Sequence, residues 1–315
     1  MDNGLVDRYN RKIDYLRISV TDRCNLRCFY CMPPCGIRKL SSQEILKYEE
    51  LIEIIKCARE LGIGKFRITG GEPLVRKGLI GFIEKLAGMG IDFSLTTNGI
   101  FLNRYGRDLF DAGLSRINIS LDTLKEDRFK RITSGGDIRA VFSGIDAARK
   151  LNFSPIKINV VVMRGINDDE IIDLIEWGKK ELLNVRFIEF MPLSGEDYFY
   201  PLKGVMDKII KERKLVSVEV PGSGPARNFK STDGDNIIGF ILSRSEPFCN
   251  ECNRLRLTSN GMLLPCLFSR EGVDLKKVLR EGGDMRGPFY EAVSGKPENY
   301  NVNKRQYQYM NQIGG

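Results

Sequence analysis

The chain has 315 residues, 42% of them hydrophobic and 29% charged, which excludes disordered, collagen-like and low-complexity proteins. It has a net charge of +8 and no histidine, so it lacks the commonest general base and every histidine metal site. The positive charge suits an anionic partner, whether nucleic acid, a nucleotide or another acidic substrate, and a basic surface without a binding role is the alternative. Residues 1–11 are polar, and no apolar run approaches the roughly 20 residues of a transmembrane helix. We therefore expect a cytoplasmic protein with no membrane partner.

Strand-like and helix-like segments alternate along the first 193 residues. The strand-like segments are residues 15–20, 65–69, 92–97, 116–121, 156–163 and 185–190. The helix-like segments between them are residues 42–61, 77–89, 103–112, 138–151 and 168–182. Ser41 and Glu44 have capping-box spacing at the start of the first helix. The alternation predicts a parallel sheet, either doubly wound or an incomplete barrel, and periodicity alone does not separate the two.

The alternation stops after residue 194. Residues 221–225 read Pro-Gly-Ser-Gly-Pro and predict a loop, while 229–231 and 237–243 predict short antiparallel strands. We therefore expect one domain over residues 1–200 and a smaller region over 201–315, with the boundary near 195–220. Residues 282–315 have weak periodicity, which favours coil.

Turn-forming or polar sequences follow every predicted parallel strand. They are residues 21–36, 70–73, 96–99, 120–122, 164–168 and 191–193. The carboxyl ends of parallel strands share one edge of a sheet, where α/β folds build their active sites. The sequence therefore predicts a single site at this edge.

Seven of the eight cysteines form two groups, which in a cytosolic chain indicate metal or redox chemistry. The first group is Cys24, Cys28 and Cys31, followed by Cys35, and the second is Cys249, Cys252 and Cys266. The eighth, Cys57, lies on the apolar face of a predicted helix and is interpreted as a core residue. Three thiolates suit an iron–sulfur cluster with one open iron better than they suit zinc, which needs four ligands. Two four-cysteine zinc sites, the second completed by Cys57, are the alternative.

Five cations occupy unusual places on predicted strands. Arg17, Arg67 and Lys157 lie on parallel strands, and Arg254 and Arg256 share one face of a strand just after Cys252. Parallel strands are usually buried and apolar, so a cation there is costly unless it meets an anion. The pattern favours a phosphate site, and salt bridges to Asp or Glu are the alternative. Neither a G-x-G-x-x-G fingerprint after the first strand nor a complete phosphate loop is present.

Longer motifs resemble a known family. Cys24-x3-Cys28-x2-Cys31, with Tyr30 before the third cysteine, resembles the signature of radical S-adenosylmethionine enzymes, and Gly70-Gly71-Glu72-Pro73 resembles their methionine-binding loop. Together with the second cysteine group, Arg254-Leu255-Arg256 and the final Gly314-Gly315, residues 12–270 resemble the GTP 3′,8-cyclase family of molybdenum cofactor biosynthesis.

This resemblance implies an α/β fold, an incomplete (βα)6 radical-SAM barrel with a smaller C-terminal α+β region. It also implies S-adenosylmethionine and two [4Fe–4S] clusters, the first held by Cys24, Cys28 and Cys31 and the second by Cys249, Cys252 and Cys266. The implied cosubstrate contacts are Tyr30, Gly71, Ser120 and Met191. The implied GTP contacts are Arg17, Arg67, Thr96, Lys157, Arg254, Leu255 and Arg256, and the implied catalytic tail is Gly314 and Gly315. Cys35 is an extra thiol, interpreted as a bystander because a fourth ligand would block cosubstrate binding.

The reaction implied by the resemblance is a radical cyclisation. A 5′-deoxyadenosyl radical takes hydrogen from the ribose C3′ of GTP, and the carbon radical attacks guanine C8. The product is (8S)-3′,8-cyclo-7,8-dihydroguanosine 5′-triphosphate, in the first step of molybdenum cofactor biosynthesis. The implied partners are a reduced donor of ferredoxin or flavodoxin type and a downstream cyclic pyranopterin monophosphate synthase, with the enzyme a monomer or homodimer.

Two other functions compete with this interpretation. A peptide-modifying radical enzyme with two clusters would usually carry more than three C-terminal cysteines and would not need five cations at strand ends. A zinc-stabilised nucleic-acid-binding protein would use the net charge of +8, but aromatic residues are not interleaved with a basic stripe. We therefore expect no nucleic-acid partner.

Overall fold

The computed structural model describes residues 4–33, 36–191, 197–220, 224–231, 234, 236–269, 271–300 and 310–314. Its strands are β1 (Leu5–Val6), β2 (Lys12–Ile13), β3 (Tyr15–Ser19), β4 (Lys65–Thr69), β5 (Asp92–Thr97), β6 (Ile117–Ser120), β7 (Ile156–Val162), β8 (Asn184–Glu189), β9 (Val216–Ser217), β10 (Arg227–Lys230), β11 (Ile237–Ile241), β12 (Arg254–Leu257), β13 (Met262–Leu264) and β14 (Val273–Asp274).

Its helices are α1 (Tyr48–Glu60), α2 (Leu79–Gly88), α3 (Leu102–Asp111), α4 (Glu126–Thr133), α5 (Ile138–Lys150), α6 (Ile171–Lys180), α7 (Leu202–Glu212), α8 (Leu275–Arg280), α9 (Arg286–Ser294) and α10 (Met310–Ile313). The described helices are all too short or too polar to span a lipid bilayer.

One open sheet of twelve strands forms the centre of the molecule. Its order is β14-β13-β12-β3-β4-β5-β6-β7-β8-β11-β10-β9, and the middle eight strands, from β12 to β11, run parallel. Antiparallel strands continue the sheet on both sides. The described end strands β14 and β9 do not pair with each other, so the sheet does not close. This confirms an incomplete barrel.

All six predicted parallel strands are present, and helices follow the first five of them as the apolar periodicity indicated. The first helix begins later than predicted, at Tyr48. Ser41 and Glu44 do make a capping contact, with the Ser41 N–H donating to the Glu44 carboxylate at 2.9 Å, but it closes an isolated turn. The chain then stays extended because the Leu46 N–H bonds to the Ser259 carbonyl at 2.9 Å, and a second capping contact between Lys47 and Glu50 starts the helix.

The sequence reasoning missed five of the described helices, α4, α7, α8, α9 and α10. The prediction of coil after residue 282 is wrong for α10 and for α9, which buries Phe289, Ala292 and Val293. Three buried positions in nine residues give too weak a periodicity to recognise. The tertiary contacts of those side chains stabilise the helix instead.

Strands from the C-terminal region extend the open sheet on both sides. β12 pairs in parallel with β3, and β11 pairs in parallel with β8, so both sides of the six-stranded core are extended. The two predicted antiparallel strands near residues 229 and 240 are β10 and β11. The boundary between residues 1–200 and 201–315 stays a prediction. The pairing of β12 with β3 positions the site, because it brings the second cysteine group beside β3.

Candidate active site

The first three cysteines lie on the loop that follows β3, and all are half-buried. A tight turn sets their spacing, because the backbone N–H groups of Cys31 and Met32 both donate to the Cys28 carbonyl, at 2.9 and 3.2 Å. Burial raises the pKa of Cys24 to about 11. Burial, and then the neighbouring Cys31, raise the pKa of Cys28 as well. These thiols therefore need a bound cation to ionise at neutral pH, as iron would provide.

The loop after β4 packs directly on this cysteine loop. The Gly71 N–H donates to the Thr21 carbonyl at 2.7 Å, and the Glu72 N–H donates to the Arg23 carbonyl at 2.8 Å. A Cβ atom on Gly71 would lie 2.4 Å from the Arg23 carbonyl oxygen, so only glycine allows this approach. Gly71 therefore sits against the backbone that leads into Cys24.

Glu72 is a fully buried carboxyl group that ties the strand ends together. It accepts hydrogen bonds from the backbone N–H groups of Leu74 and Asn98, at 2.9 and 2.7 Å, and from the Thr97 hydroxyl at 2.7 Å. Burial raises its pKa to about 7 against the opposing effect of these donors. Sequence reasoning placed Glu72 in a motif without giving it a role.

The other predicted cosubstrate residues lie at the same edge. The Tyr30 hydroxyl donates to the Asp122 carboxylate at 2.6 Å, just beyond the end of β6, where Ser120 lies. The Val161 N–H of β7 donates to the same carboxylate at 2.8 Å. Met191 follows β8 by two residues. The structure thus brings Tyr30, Gly71 and Ser120 to the edge formed by the carboxyl ends of β3, β4 and β6.

Cations from several strands share one face of the sheet. Arg256 of β12 is in register with Arg17 of β3, which is in register with Arg67 of β4, and side chains in register lie on the same face. Thr96 of β5 is linked in the same way, through Asn118, to Lys157 of β7. The Arg67 guanidinium also donates to the Thr96 hydroxyl at 3.5 Å.

The pKa values of these cations are lowered by burial and by the neighbouring positive charges. Burial, and then the nearby Arg186 and Arg67, lower the pKa of Lys157 to about 8, although Arg67 is three strands away. Burial and the neighbouring Arg254 lower the pKa of Arg256 to about 10. Burial and the charge of Arg256 likewise lower the pKa of Arg17. Like charges held together in a buried space are costly unless an anion enters it.

Arg186 is a site residue that the sequence reasoning missed. It lies on β8, in register with Asn159, and burial and the charge of Arg67 lower its pKa to about 10. Its Nε atom and the Oδ1 atoms of Asn118 and Asn159 are buried without a hydrogen-bond partner among the described residues. The sequence analysis singled out Lys157 because it is a cation on a predicted parallel strand. The same criterion, applied to the predicted strand 185–190, would have found Arg186.

Leu255 lies on the opposite face from Arg254 and Arg256. Its side chain is fully buried in the apolar core, and its backbone pairs with Leu16 of β3. The structure therefore does not bring the Leu255 side chain to the cations, and only its backbone could contact a ligand.

The second cysteine group precedes and follows β12. The Cys252 N–H donates to the Cys249 carbonyl at 3.1 Å, and the Cys252 sulfur accepts from Arg254 at 3.7 Å and from Lys296 at 3.5 Å. Burial raises the pKa of Cys252, but the charges of Arg254 and Lys296 outweigh it and lower the pKa to about 6. The neighbouring cations thus favour the thiolate of Cys252, the form that binds metal.

The C-terminal tail enters the same space. The Met310 N–H donates to the Cys31 carbonyl at 3.1 Å, and the Gly314 carbonyl accepts from Arg256 at 2.6 Å. Gly314 has φ +76°, and a Cβ there would lie 2.8 Å from the Thr69 side chain. The tail thus runs from the first cysteine loop to the cations. Gly315 and Cys35, named from the sequence, lie outside the described residues.

The donor sets fit iron–sulfur clusters, since each group offers three soft thiolates and no fourth cysteine is among the described residues around it. Within the described ranges, three or more Cys, Asp or Glu side chains nowhere converge as ligands of one metal ion do. Cys57 lies on the buried face of α1, as predicted.

Two family models match the chain. The model of the radical SAM superfamily matches residues 18–178, and that of Molybdenum Cofactor Synthesis C matches residues 183–302. The GTP 3′,8-cyclase of Thermodesulfovibrio yellowstonii is 47% identical over 98% of this chain and 99% of that protein. The GTP 3′,8-cyclase of Petrotoga mobilis is 44% identical over 99% of this chain and all of that protein.

Solved structures with the same fold are more distant in sequence. SuiB of Streptococcus suis, bound to its precursor peptide SuiA, has a TM-score of 0.66 at 14% identity, covering 91% of this chain and 67% of that one. SuiB bound to S-adenosylmethionine has a TM-score of 0.64 at 15% identity, covering 90% and 68%. These similarities concern the fold. The two family models and the near full-length relatives show that the chain belongs to the radical SAM superfamily and, within it, to the GTP 3′,8-cyclase family.

Proposed function

We propose that this protein cyclises GTP to (8S)-3′,8-cyclo-7,8-dihydroguanosine 5′-triphosphate, the first step of molybdenum cofactor biosynthesis. The observation that carries the proposal is the position of β12. Its Arg256 lies in register with Arg17 and Arg67, and Cys252 lies two residues before its start. A triphosphate on the cations would therefore place its base near the second cysteine group.

Cys24, Cys28 and Cys31 would hold the first [4Fe–4S] cluster, with S-adenosylmethionine on its open iron. When both are bound, they supply the 5′-deoxyadenosyl radical that starts the reaction. Tyr30, Gly71, Ser120 and Met191 are the proposed contacts to the cosubstrate. The hydrogen bonds of Glu72 and Asp122 hold the loops that carry these residues.

Cys249, Cys252 and Cys266 would hold a second [4Fe–4S] cluster, which would bind the guanine. The proposed GTP contacts are Arg17, Arg67, Thr96, Lys157, Arg186, Arg254, Arg256 and the backbone of Leu255. Five of these cations form no ion pair with a described carboxylate, namely Arg67, Lys157, Arg186, Arg254 and Arg256. An anionic substrate therefore explains these charges better than salt bridges within the fold.

Gly314 and Gly315 would complete the substrate site as its catalytic tail, supported by the hydrogen bond from Arg256 to Gly314. The electron would come from a reduced donor of ferredoxin or flavodoxin type. The cyclised nucleotide would pass to cyclic pyranopterin monophosphate synthase.

The test is an anaerobic reaction of the iron-reconstituted protein with S-adenosylmethionine, a strong reductant, and GTP, ATP or no nucleotide. Mass spectrometry should detect 5′-deoxyadenosine together with a cyclised isomer of GTP. Metal analysis should find about eight irons per chain, as two four-iron clusters require. 5′-Deoxyadenosine without a GTP product would contradict the proposed substrate, and about two zinc ions per chain would contradict the cofactors.

A further inference from the structure

Lys296 is a buried lysine near the second cysteine group with no role in the proposed function. It follows α9, and only 2% of its surface is exposed. Its ammonium donates to the carbonyls of Arg254 and Pro265, at 2.8 and 2.9 Å, and to the Cys252 sulfur at 3.5 Å. These three acceptors use all three of its N–H donors.

The counter-charge of this ammonium must come from the cysteines. A buried ammonium is costly unless it meets an anion, and Lys296 forms no ion pair with a described carboxylate. Burial lowers the pKa of Lys296, and the negative charges of Cys252, at 3.5 Å, and Cys266 oppose that effect. Lys296 is therefore a built-in cation facing the ligands of the proposed second cluster.

The chain after Lys296 continues along the same cysteine group, and we call residues 296–300 the cysteine strap. At its end, the Tyr300 N–H donates a hydrogen bond to the Cys249 thiol. The Tyr300 ring stacks on Phe268, with centroids 4.7 Å apart, and its hydroxyl donates to the Ser243 carbonyl at 2.5 Å. The strap thus reaches two of the three cysteine sulfurs.

Arg11, from the β1–β2 hairpin, fixes the strap to the cysteine loop. Its guanidinium donates to the carbonyls of Pro297, Glu298 and Cys249, at 2.7, 3.0 and 2.6 Å, and pairs with Asp7 at 2.6 Å. The Arg11 guanidinium therefore joins the cysteine strap to Cys249, and this contact helps to hold Lys296 beside Cys252.

We propose that Lys296 is a positioning residue for the second iron–sulfur cluster, orienting Cys252 and stabilising the negative charge on the cluster and its thiolates. This inference rests on the proposed function, because it requires a second cluster. A cubane held by three thiolates is anionic and becomes more so on reduction. Donors and cations around the ligand sulfurs therefore strengthen binding and raise the reduction potential.

The test compares wild-type holoenzyme with Lys296→Gln, which keeps donors but loses the charge, and Lys296→Arg, which keeps the charge. Lys276→Gln is the matched control, since Lys276 also donates to a carbonyl, that of Glu44 at 2.9 Å. Iron retention against a chelator and the potential of each cluster are measured, with Cys252→Ala identifying the second cluster's signal. We expect Lys296→Gln to bind this cluster about 10- to 100-fold more weakly and at a lower potential. Lys296→Arg and Lys276→Gln should match the wild type.

Each alternative outcome is decisive. A second cluster in Lys296→Gln with wild-type retention and potential would overturn the inference and leave the proposed function intact. About four irons in the wild type would overturn the second cluster, and the inference with it. If Lys296→Gln fails to fold, wild-type enzyme labelled with ¹⁵N-lysine tests the same inference. Pulsed electron paramagnetic resonance should then detect a lysine nitrogen coupled to the reduced second cluster, and absence of that coupling would overturn the inference.

Discussion

At the scale of single residues, the site is defined by charges that the fold does not neutralise. Lys157 shows this most directly, since burial and then Arg186 and Arg67 lower its pKa from 10.5 to about 8. Between these two values the unfolded chain binds more protons than the folded protein, so the protein without nucleotide gains stability as pH rises from 8 towards 10.5. Nucleotide binding should show the opposite dependence, because an anion favours the protonated lysine.

GTP affinity should therefore fall above pH 8. With a pKa of about 8 in the free protein, the binding constant of the wild type should drop about tenfold for each further pH unit. Lys157→Arg stays charged in this range and should lack that drop. Isothermal titration of GTP at pH 7, 8 and 9 compares the two, and parallel profiles would argue against a role for Lys157 in phosphate binding.

The two arginines of β12 should matter for nucleotide more than for cosubstrate. Charge-assisted hydrogen bonds contribute about 1.5–3 kcal/mol each, so Arg254→Ala with Arg256→Ala should weaken GTP binding by at least about tenfold per arginine. Cosubstrate cleavage without product should persist. Arg280→Ala, which removes a surface arginine paired with Glu50, is the control. Unchanged GTP affinity in the double variant would refute the phosphate role.

At the scale of elements, close packing of two loops shapes the proposed cosubstrate site. The loop after β4 lies against the loop after β3 because Gly70 and Gly71 carry no side chain, and a Cβ at either would meet a backbone carbonyl within 2.7 Å. Such contacts allow no relaxation without moving the cysteine loop itself.

Gly71→Ala should therefore displace the loop that carries Cys24. We expect cosubstrate cleavage to fall at least about 100-fold, since a shift near 1 Å in a reacting group can cost that much. Gly81→Ala is the control, because a Cβ there meets no atom within 4 Å. 5′-Deoxyadenosine formation and thermal unfolding are the measurements, and equal activity in the two variants would contradict the packing argument.

At the scale of the whole molecule, the site is assembled from both ends of the chain. The tail joins Cys31 to Arg256 through Met310 and Gly314, and Arg11 ties the N-terminal hairpin to the second cysteine group. The two cysteine groups, more than 200 residues apart in sequence, are connected because β12 pairs with β3.

Deleting Gly314 and Gly315 should lower the rate of formation of the cyclised product at least about 100-fold, because the tail would no longer reach Arg256. Both clusters should keep their iron, since no cysteine is removed. Gly287→Ala, in open space on α9, serves as the control for a remote glycine. Full activity in the truncated protein would contradict a catalytic tail.

The sequence by itself determined the parallel strands and most of the helices between them. Apolar periodicity is local, and it placed β4 and β5 with their actual bounds. Thiol spacing and charge on strands are also local, so they identified both cysteine groups and the cations Arg17, Arg67 and Lys157. The family resemblance came from the same short motifs, which is why it extended to the fold and the reaction.

Only the tertiary structure decided how these parts meet. Lys296 contacts Cys252 across 44 residues, and Arg256 contacts Gly314 across 58. Local periodicity predicts neither contact, because both contacts depend on which strands pair and in what register. The late start of α1 and the existence of α9 have the same origin. In each case a contact with a distant part of the chain stabilises the observed conformation more than local helix propensity does.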